Sequence, residues 1–380
     1  MDGRPAASAS DDGWAALRAV DWTPRTYEFV AALFGIIVVL LLRSTPLPLS
    51  TDLALDLAGK GALTIGAVYG VACILVAGRV LRDVARHGVA GLTAPRRLVP
   101  LLLPFASLDF LVLTVRRVLA VFTAIIFFLH LKHVILWLHF ANYDRTFWDL
   151  DRWLHFGVQP NVWLVERLGS QHDVALLLDW LYIEYFDYKL LVSLLFLCEL
   201  RGRRLSEQFV LAYTLLWAIG GLAYLVMPAD GPCFAMLLGA SDVPVAAHQW
   251  GFTYPVVSDL PATYVEAFRE ARVWTAKNLQ HLLWATRWRF VYQGKLPDMF
   301  YGVAAMPSLH VAVVVLFAYF LGRLSPWAGL VGILYAAAIA IGSVFLQWHY
   351  AVDGYAGALL ATATAWAAVR LPAAVPLRRR

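Results

Sequence analysis

Long apolar stretches recur along the chain and constrain its fold more than any other feature. A helix that crosses a bilayer needs about 20 mostly apolar residues. Only 15% of the residues are charged, whereas soluble domains have about 25%. We therefore predict an all-α integral membrane protein with about eight transmembrane helices, at residues 27–42, 61–81, 118–140, 180–199, 209–227, 306–321, 327–346 and 352–371.

Three clusters of arginines predict how these helices are oriented. One cluster flanks a ninth apolar stretch, residues 98–115, another follows residue 199, and the third ends the chain. Lys and Arg prefer the cytoplasmic side of a bilayer. We interpret the ninth stretch, which Pro100, Pro104 and Asp109 interrupt, as re-entrant or interfacial, because all three clusters then lie on the cytoplasmic face. This asymmetry also explains the net charge of +5, and we predict no nucleic-acid partner.

The chain divides into one membrane core and flanking segments. A long loop within the core, residues 230–305, falls at the extracytoplasmic face in this topology. Aromatic residues in this loop and at 143–168 are typical of segments at a membrane interface. We predict a cytoplasmic tail at residues 1–26 and two N-terminal helices with a basic interfacial segment at residues 27–117. The core follows at residues 118–371, and a basic cytoplasmic tail at residues 372–380.

The first motif, Met-Pro-Ser-Leu-His, occupies residues 306–310 and opens the sixth apolar stretch. Pro307 suits the first position of a helix, where its missing N–H costs nothing. The N–H groups of Ser308, Leu309 and His310 would then point out of the helix start, which is a favourable place for an anion. The alternative is an ordinary helix start with a capping serine and an interfacial histidine.

The second motif pairs His349 with Asp353, four residues later. This spacing places the two side chains on the same face of a helix. A carboxylate bonded to one ring nitrogen sets the tautomer and raises the basicity of the other nitrogen, as a nucleophile or proton relay requires. A structural His–Asp pair is the alternative. His310, His349 and Asp353 would also suit a metal, but no fourth ligand stands in register, so we predict none.

Together, the motifs resemble the type 2 phosphatidic acid phosphatase superfamily, and Pro-Ser-Leu-His is closer to its inositol phosphorylceramide synthase-like branch. The resemblance covers roughly residues 118–371 and implies a six-helix core. It implies that His349 takes the phosphoryl group as a phosphohistidine, that Asp353 orients His349, and that His310 protonates the leaving oxygen. Ser308, with Pro307 and Leu309, would hold the phosphate. No metal or organic cofactor is implied.

Two departures from the family pattern leave the cation for the phosphate open. Many members have an arginine six residues before the nucleophilic histidine, where this chain has Ser343. The Lys-x6-Arg-Pro signature is absent, and residues 228–232 stand in its place. Each candidate cation has an alternative role at the membrane surface. The candidates in the loop could instead pair with lipid headgroups, and those near helix ends could extend their charge to the interface by snorkelling. They are Arg287, Arg289 and Lys295 in the loop, and Lys132 and Lys189 near the ends of predicted helices.

Three functions remain open. The first is a lipid phosphotransferase that moves a phosphoryl or phospho-alcohol group from a phospholipid or polyprenyl phosphate to a lipid hydroxyl. The second is a phosphatase that acts on a lipid phosphate or polyprenyl pyrophosphate, with water as acceptor. The third is a non-enzymatic lipid-binding or transport protein. We expect the chain to lie in a plasma (bacterial inner) membrane with the site facing outward, and the oligomeric state stays open.

Overall fold

The computed structural model describes residues 20–88, 105–138, 143–234, 261–293, 305–372 and 374. This part of the chain is helical, and no β-strand beyond one isolated bridge occurs in it. In chain order the α-helices are α1 (Thr26–Leu42), α2 (Thr51–His87), α3 (Leu108–Leu138), α4 (Asp144–Leu154), α5 (Pro160–Leu168), α6 (His172–Ile183), α7 (Tyr185–Leu197), α8 (Arg203–Val226), α9 (Ala262–Glu270), α10 (Trp274–Gln293), α11 (Leu309–Leu324), α12 (Pro326–Phe345) and α13 (Ala351–Arg370).

Several of these helices are suited to a bilayer. Within the described ranges, α2, α3, α8 and α12 are long and apolar enough to cross a membrane, and α1 and α11 are shorter apolar helices. Large apolar side chains such as Leu33, Leu40 and Leu63 are exposed on their outer faces. Soluble monomers rarely expose apolar surface on this scale. The predicted fold class, an all-α integral membrane protein, is confirmed.

Helix α11 lies at the centre of the packing, against α12, α13 and α8. A glycine on α13 permits the closest of these approaches. A Cβ on Gly357 would lie 2.3 Å from the backbone oxygen of Ser308, which is closer than two such atoms can come. The start of α11 therefore rests directly on the backbone of α13, and both sequence motifs are held at the same end of the bundle.

The predicted boundary between a ninth stretch and the third span is wrong. Residues 108–115 continue without a break into α3, and residues 98–104 lie outside the described residues. Arg117 is fully buried in α3, where it forms ion pairs with Glu207 and, at 2.7 Å, with Glu199. Arg116 pairs with Glu28 at 2.6 Å. Since carboxylates from neighbouring elements compensate these charges, the helix continues past them.

The predicted single span at residues 180–199 is also interrupted. Helices α6 and α7 meet at Glu184, whose ψ of −9° departs from the helical value of about −42° and tightens the turn there. The rings of Tyr182 and Tyr185, on either side of this position, both contact His310. The interruption therefore coincides with the place where these two helices meet the first motif.

Two helices from the long loop, of 9 and 20 residues, cover the end of the bundle that carries the motifs. Helix α9 packs against α5, and α10 packs against α6. Asp179 of α6 accepts hydrogen bonds from the amides of Thr275 and Ala276 at 2.9 Å, and so caps the start of α10. Residues 235–260 and 294–304 of the loop lie outside the described residues.

Candidate active site

His349 and Asp353 form a buried pair at the start of α13. Nδ1 of His349 lies 3.3 Å from Oδ2 of Asp353, which also accepts a hydrogen bond of 3.0 Å from the amide of Tyr350. Tyr350 is the N-cap residue, so His349 precedes the helix. The prediction that the pair shares a helix face is therefore wrong in detail. The capping interaction at the helix start, rather than helical periodicity, places the carboxylate against the imidazole.

Asp151 of α4 holds the same helix start from the other side. Its carboxylate accepts hydrogen bonds from the amides of Ala351 (2.7 Å) and Val352 (2.8 Å). Asp151 is fully buried. Burial raises the pKa of Asp151 to about 6, because desolvation outweighs the two amide hydrogen bonds and nearby Asp353 also raises it.

The segment that leads into His349 is held by Asn161 from α5. The Asn161 amide nitrogen donates to the backbone oxygens of Val344 and His349, each at 3.0 Å. Asn161 is fully buried. Since one amide group joins the end of α12 to the backbone of the histidine, it limits how far His349 can move.

The two covering helices reach the same segment. Gln347 has a φ of 65°, an unusual backbone conformation for a residue other than glycine. Tyr264 of α9 donates its hydroxyl proton to the Gln347 side-chain oxygen. Gln280 of α10 donates to the backbone oxygen of Leu346 at 2.8 Å. We call Asp151, Asn161, Tyr264 and Gln280 the clasp, because they hold residues 346–352 from four separate helices.

The first motif begins α11 differently from the prediction. Ser308 is the N-cap, and its hydroxyl accepts from the amide of Val311 at 3.3 Å. The prediction that Pro307 is the first helical residue is wrong, because serine, a stronger N-cap, takes the boundary position. The Ser308 amide is not free either, since it donates to the backbone oxygen of Asp353 at 2.9 Å. Leu309 is buried, in a packing contact with Gly220 of α8.

His310 and His349 come together as the sequence predicted. Their ring centroids are 5.8 Å apart. The His310 ring stacks on Tyr182 at 5.1 Å and lies 4.7 Å from Tyr185. Among the described side chains, no three His, Cys, Asp or Glu residues are grouped as metal ligands. Two imidazoles and one carboxylate therefore lie together at the end of the bundle.

The predicted cations are found in different places. Nζ of Lys189 in α7 lies 5.5 Å from the ring centroid of Tyr185, which contacts His310, and Nζ of Lys132 in α3 lies 5.8 Å from that of Phe128. Arg287 and Arg289 belong to α10, and Lys295 lies outside the described residues. The proposed phosphate contacts of these last three residues stay predictions.

Sequence reasoning did not identify the clasp as part of the site. Asp151 lies in the short helix α4, and no neighbouring residue in the chain marks it as part of the site. A buried Asp in a short amphipathic helix is a weak signal in one sequence. Asn161, Tyr264 and Gln280 carry no local pattern that separates them from ordinary interfacial residues.

A helical membrane bundle with two facing histidines and a carboxylate suits the class of lipid phosphatases and phosphotransferases. The family model of the PAP2 superfamily matches residues 145–367, more than half of the 380-residue chain. The chain therefore belongs to the PAP2 superfamily, as its motifs indicated. The match begins at α4 and includes both motifs. Neither the curated proteins nor the solved structures gave a match. The inositol phosphorylceramide synthase-like branch stays a prediction.

Proposed function

We propose that this protein is a lipid phosphotransferase, inositol phosphorylceramide synthase-like, that works through a phosphohistidine. The observation that carries the proposal is the pairing of His349 with Asp353, 5.8 Å by ring centroid from a second histidine. Because Asp353 contacts Nδ1, the lone pair of Nε2 is available for attack. Family membership supports phosphatase or phosphotransferase chemistry on lipid phosphates.

The first half of the proposed reaction forms the phosphohistidine. Nε2 of His349 attacks the phosphorus of the donor lipid, so that a P–N bond forms and the P–O bond to the leaving group breaks. Asp353 stabilises the positive charge that develops on the imidazole. His310 gives its proton to the leaving oxygen, and such acid–base help contributes about 10²–10⁴-fold.

The second half transfers the group to an acceptor. A lipid hydroxyl gives its proton to His310, and its oxygen attacks the phosphorus while the P–N bond breaks. His349 returns to its neutral form, and His310 again carries its proton. Transfer requires that water stay away from the phosphohistidine. The burial of Ser308, His349 and Asp353, together with the cover of α9 and α10, supports such exclusion.

A labelled-lipid assay on the detergent-purified full chain tests the proposal. Phosphorus-labelled phospholipids and polyprenyl phosphates are supplied with and without diacylglycerol, ceramide or polyprenol as acceptors. We expect a labelled lipid product only with an acceptor, and an acid-labile, base-stable label on the wild type but not on His349→Ala.

Two other outcomes contradict the proposed transferase. Free phosphate from the wild type without any acceptor would make the protein a phosphatase. Full biological activity of His349→Ala would exclude both enzymes and favour a lipid-binding or transport role.

A further inference from the structure

Two lysines that the proposed mechanism does not use lie beside the histidines. Nζ of Lys189 is 5.1 Å from the ring centroid of Phe186, 5.5 Å from that of Tyr185 and 5.7 Å from that of Trp217. Nζ of Lys132 is 5.8 Å from the ring centroid of Phe128. Both side chains are partly buried, and both ammonium groups lie among aromatic rings.

The two lysines belong to one cluster with His310. The Tyr185 ring that Lys189 contacts is 4.7 Å from His310. The Phe128 ring beneath Lys132 is 4.9 Å from Trp217, which Lys189 also contacts. Tyr224, whose ring centroid is 5.8 Å from that of Phe128, donates its hydroxyl proton to the backbone oxygen of Pro307 in the first motif. Two helices, α3 and α7, thus bring positive charge to the space that the two histidines share.

Neither charge is compensated by a carboxylate in the described part of the chain, where no ion pair or hydrogen bond of Lys132 or Lys189 occurs. By contrast, Arg117 forms ion pairs with two glutamates, and Lys277 donates to two backbone oxygens. A charge that is partly removed from water and has no ionic partner is costly. Two such charges beside a pair of histidines therefore indicate that an anion binds between them.

The position where relatives carry arginine does not supply this charge. The Ser343 hydroxyl donates to the backbone oxygen of Ala340 at 2.8 Å. The Ser343 backbone oxygen accepts from the amides of Trp348 and His349. Residue 343 thus shapes the turn before the histidine, and the cation must come from another element.

We propose that Lys132 and Lys189 bind the phosphate group of the lipid substrate. This inference rests on the proposed function, since it takes the phosphate to lie between His310 and His349. Lys132 precedes the family match at residues 145–367, so an N-terminal helix outside the matched region completes the site. The cation–π contacts hold each ammonium in place before the substrate arrives.

Anion binding without turnover tests this inference. Orthovanadate and inorganic phosphate are titrated into the purified full chain, and affinity is followed by thermal shift. We expect Lys132→Gln and Lys189→Gln each to weaken binding roughly ten-fold or more, and the two arginine variants to retain most of it. Without anion, the Gln variants should melt at or above the wild-type Tm, because a desolvated charge has been removed. Lys60→Gln, at an exposed lysine of α2 that pairs with Asp56, is the charge-matched control.

Several outcomes overturn the inference. It fails if the wild type binds neither anion, or if both Gln variants bind like the wild type. It also fails if the Gln variants melt lower without anion yet keep their affinity, since the lysines would then be structural. Chemical acetylation of lysines in the wild-type protein is a second test, and it needs no variant. Vanadate should protect Lys132 and Lys189 but not Lys60, and equal labelling with and without vanadate contradicts the inference.

Two further comparisons test this inference separately from the proposed function. If the wild type forms no phosphohistidine but the Lys variants lose vanadate binding, the inference stands and the proposed function fails. If His349→Ala abolishes turnover while the Lys variants keep their KM and their vanadate affinity, the function stands and the inference fails. Vesicles that contain phosphatidic acid distinguish the two phosphate sources, since tighter binding than to inorganic phosphate assigns the site to a lipid headgroup.

Discussion

At the scale of single residues, the site combines one carboxylate that touches the proposed nucleophile with another that acts through the backbone. Asp353 contacts the imidazole of His349 directly. Asp151 instead holds the amides of Ala351 and Val352, which follow His349 in the chain. Changing each aspartate to asparagine should therefore alter different properties.

Asp353→Asn should lower kcat about 100-fold or more with little change in KM, because an amide neither stabilises a charged imidazole nor maintains its tautomer. Labelled-lipid turnover and the rate of phosphohistidine formation measure the effect. Asp149→Asn, at a half-exposed carboxylate of α4 that pairs with Arg145, is the control. Equal kcat for Asp353→Asn and the wild type would show that His349 works without this partner.

Asp151→Asn should change how stability depends on pH. The pKa of Asp151 is raised from its usual 3.8 to about 6, so the folded protein binds a proton more tightly than the unfolded chain does. The contribution of this group is therefore full below pH 3.8 and is lost as pH rises to about 6. A pKa shift of this size corresponds to a contribution of roughly 3 kcal/mol at most to the free energy of unfolding.

We expect the wild-type Tm to fall relative to that of Asp151→Asn as pH increases through this interval, because asparagine does not titrate. Thermal melts in detergent at a series of pH values measure the difference. A constant difference in Tm across the interval would show that Asp151 has an ordinary pKa.

At the scale of helices, some features follow from the sequence and others do not. The apolar stretch predicted at residues 327–346 is α12, Pro326–Phe345, within one residue at each end. Backbone in lipid must form its hydrogen bonds internally, so an uninterrupted apolar run of this length is reliably helical. The same argument failed at Arg117, where it predicted a helix boundary. Nothing in the neighbouring sequence shows that Glu199 and Glu207 contact Arg117 in the folded protein.

The clasp is a second feature that the sequence did not reveal. Both histidine motifs could be identified because their chemistry depends on residues close together in the chain. Asn161 reaches His349 across 188 positions. That contact depends on how α5 packs against α12, and a single sequence contains no record of this packing.

Asn161→Ala tests whether the clasp positions His349. The change removes the side-chain donor to the His349 backbone oxygen and one of the three donors to that of Val344, and should destabilise the protein by about 1–3 kcal/mol. We expect kcat to fall while KM changes little, since the phosphate contacts remain. Gln171→Ala, which removes an exposed side-chain hydrogen bond to Arg167, is the control. A lower Tm with unchanged kcat would limit Asn161 to a structural role.

Two glycines of α13 offer a matched test of the contact between the motifs. Gly357→Ala places a Cβ 2.3 Å from the Ser308 backbone oxygen and should destabilise by about 1–3 kcal/mol. It should also lower activity, because α11 carries His310 and must move away from α13. At Gly354 the nearest atom is 3.7 Å from the new Cβ, so Gly354→Ala should be neutral or stabilising by about 1 kcal/mol. Equal melting temperatures and activities of the two variants would contradict this account.

At the scale of the whole molecule, the ion pairs of Arg117 and Arg203 and the two histidine motifs lie at opposite ends of the bundle. Helix α8 begins at Arg203, beside the ion pairs of Arg117, and ends near Tyr224, whose hydroxyl donates to the backbone oxygen of Pro307. Its length separates the two groups by the thickness of the bundle. From the positive-inside rule we predict that the basic end is cytoplasmic and that the site faces outward.

Cysteine labelling in intact cells tests this orientation. In a background where the exposed Cys73 is replaced by serine, Phe156→Cys marks the site end and Arg201→Cys marks the basic end, and both positions are exposed. A membrane-impermeant maleimide should label Phe156→Cys in intact cells and Arg201→Cys only after permeabilisation. The background without new cysteines controls for Cys198 and Cys233. The reverse pattern would place the histidines on the cytoplasmic side, and the donor and acceptor lipids would then have to come from the inner leaflet.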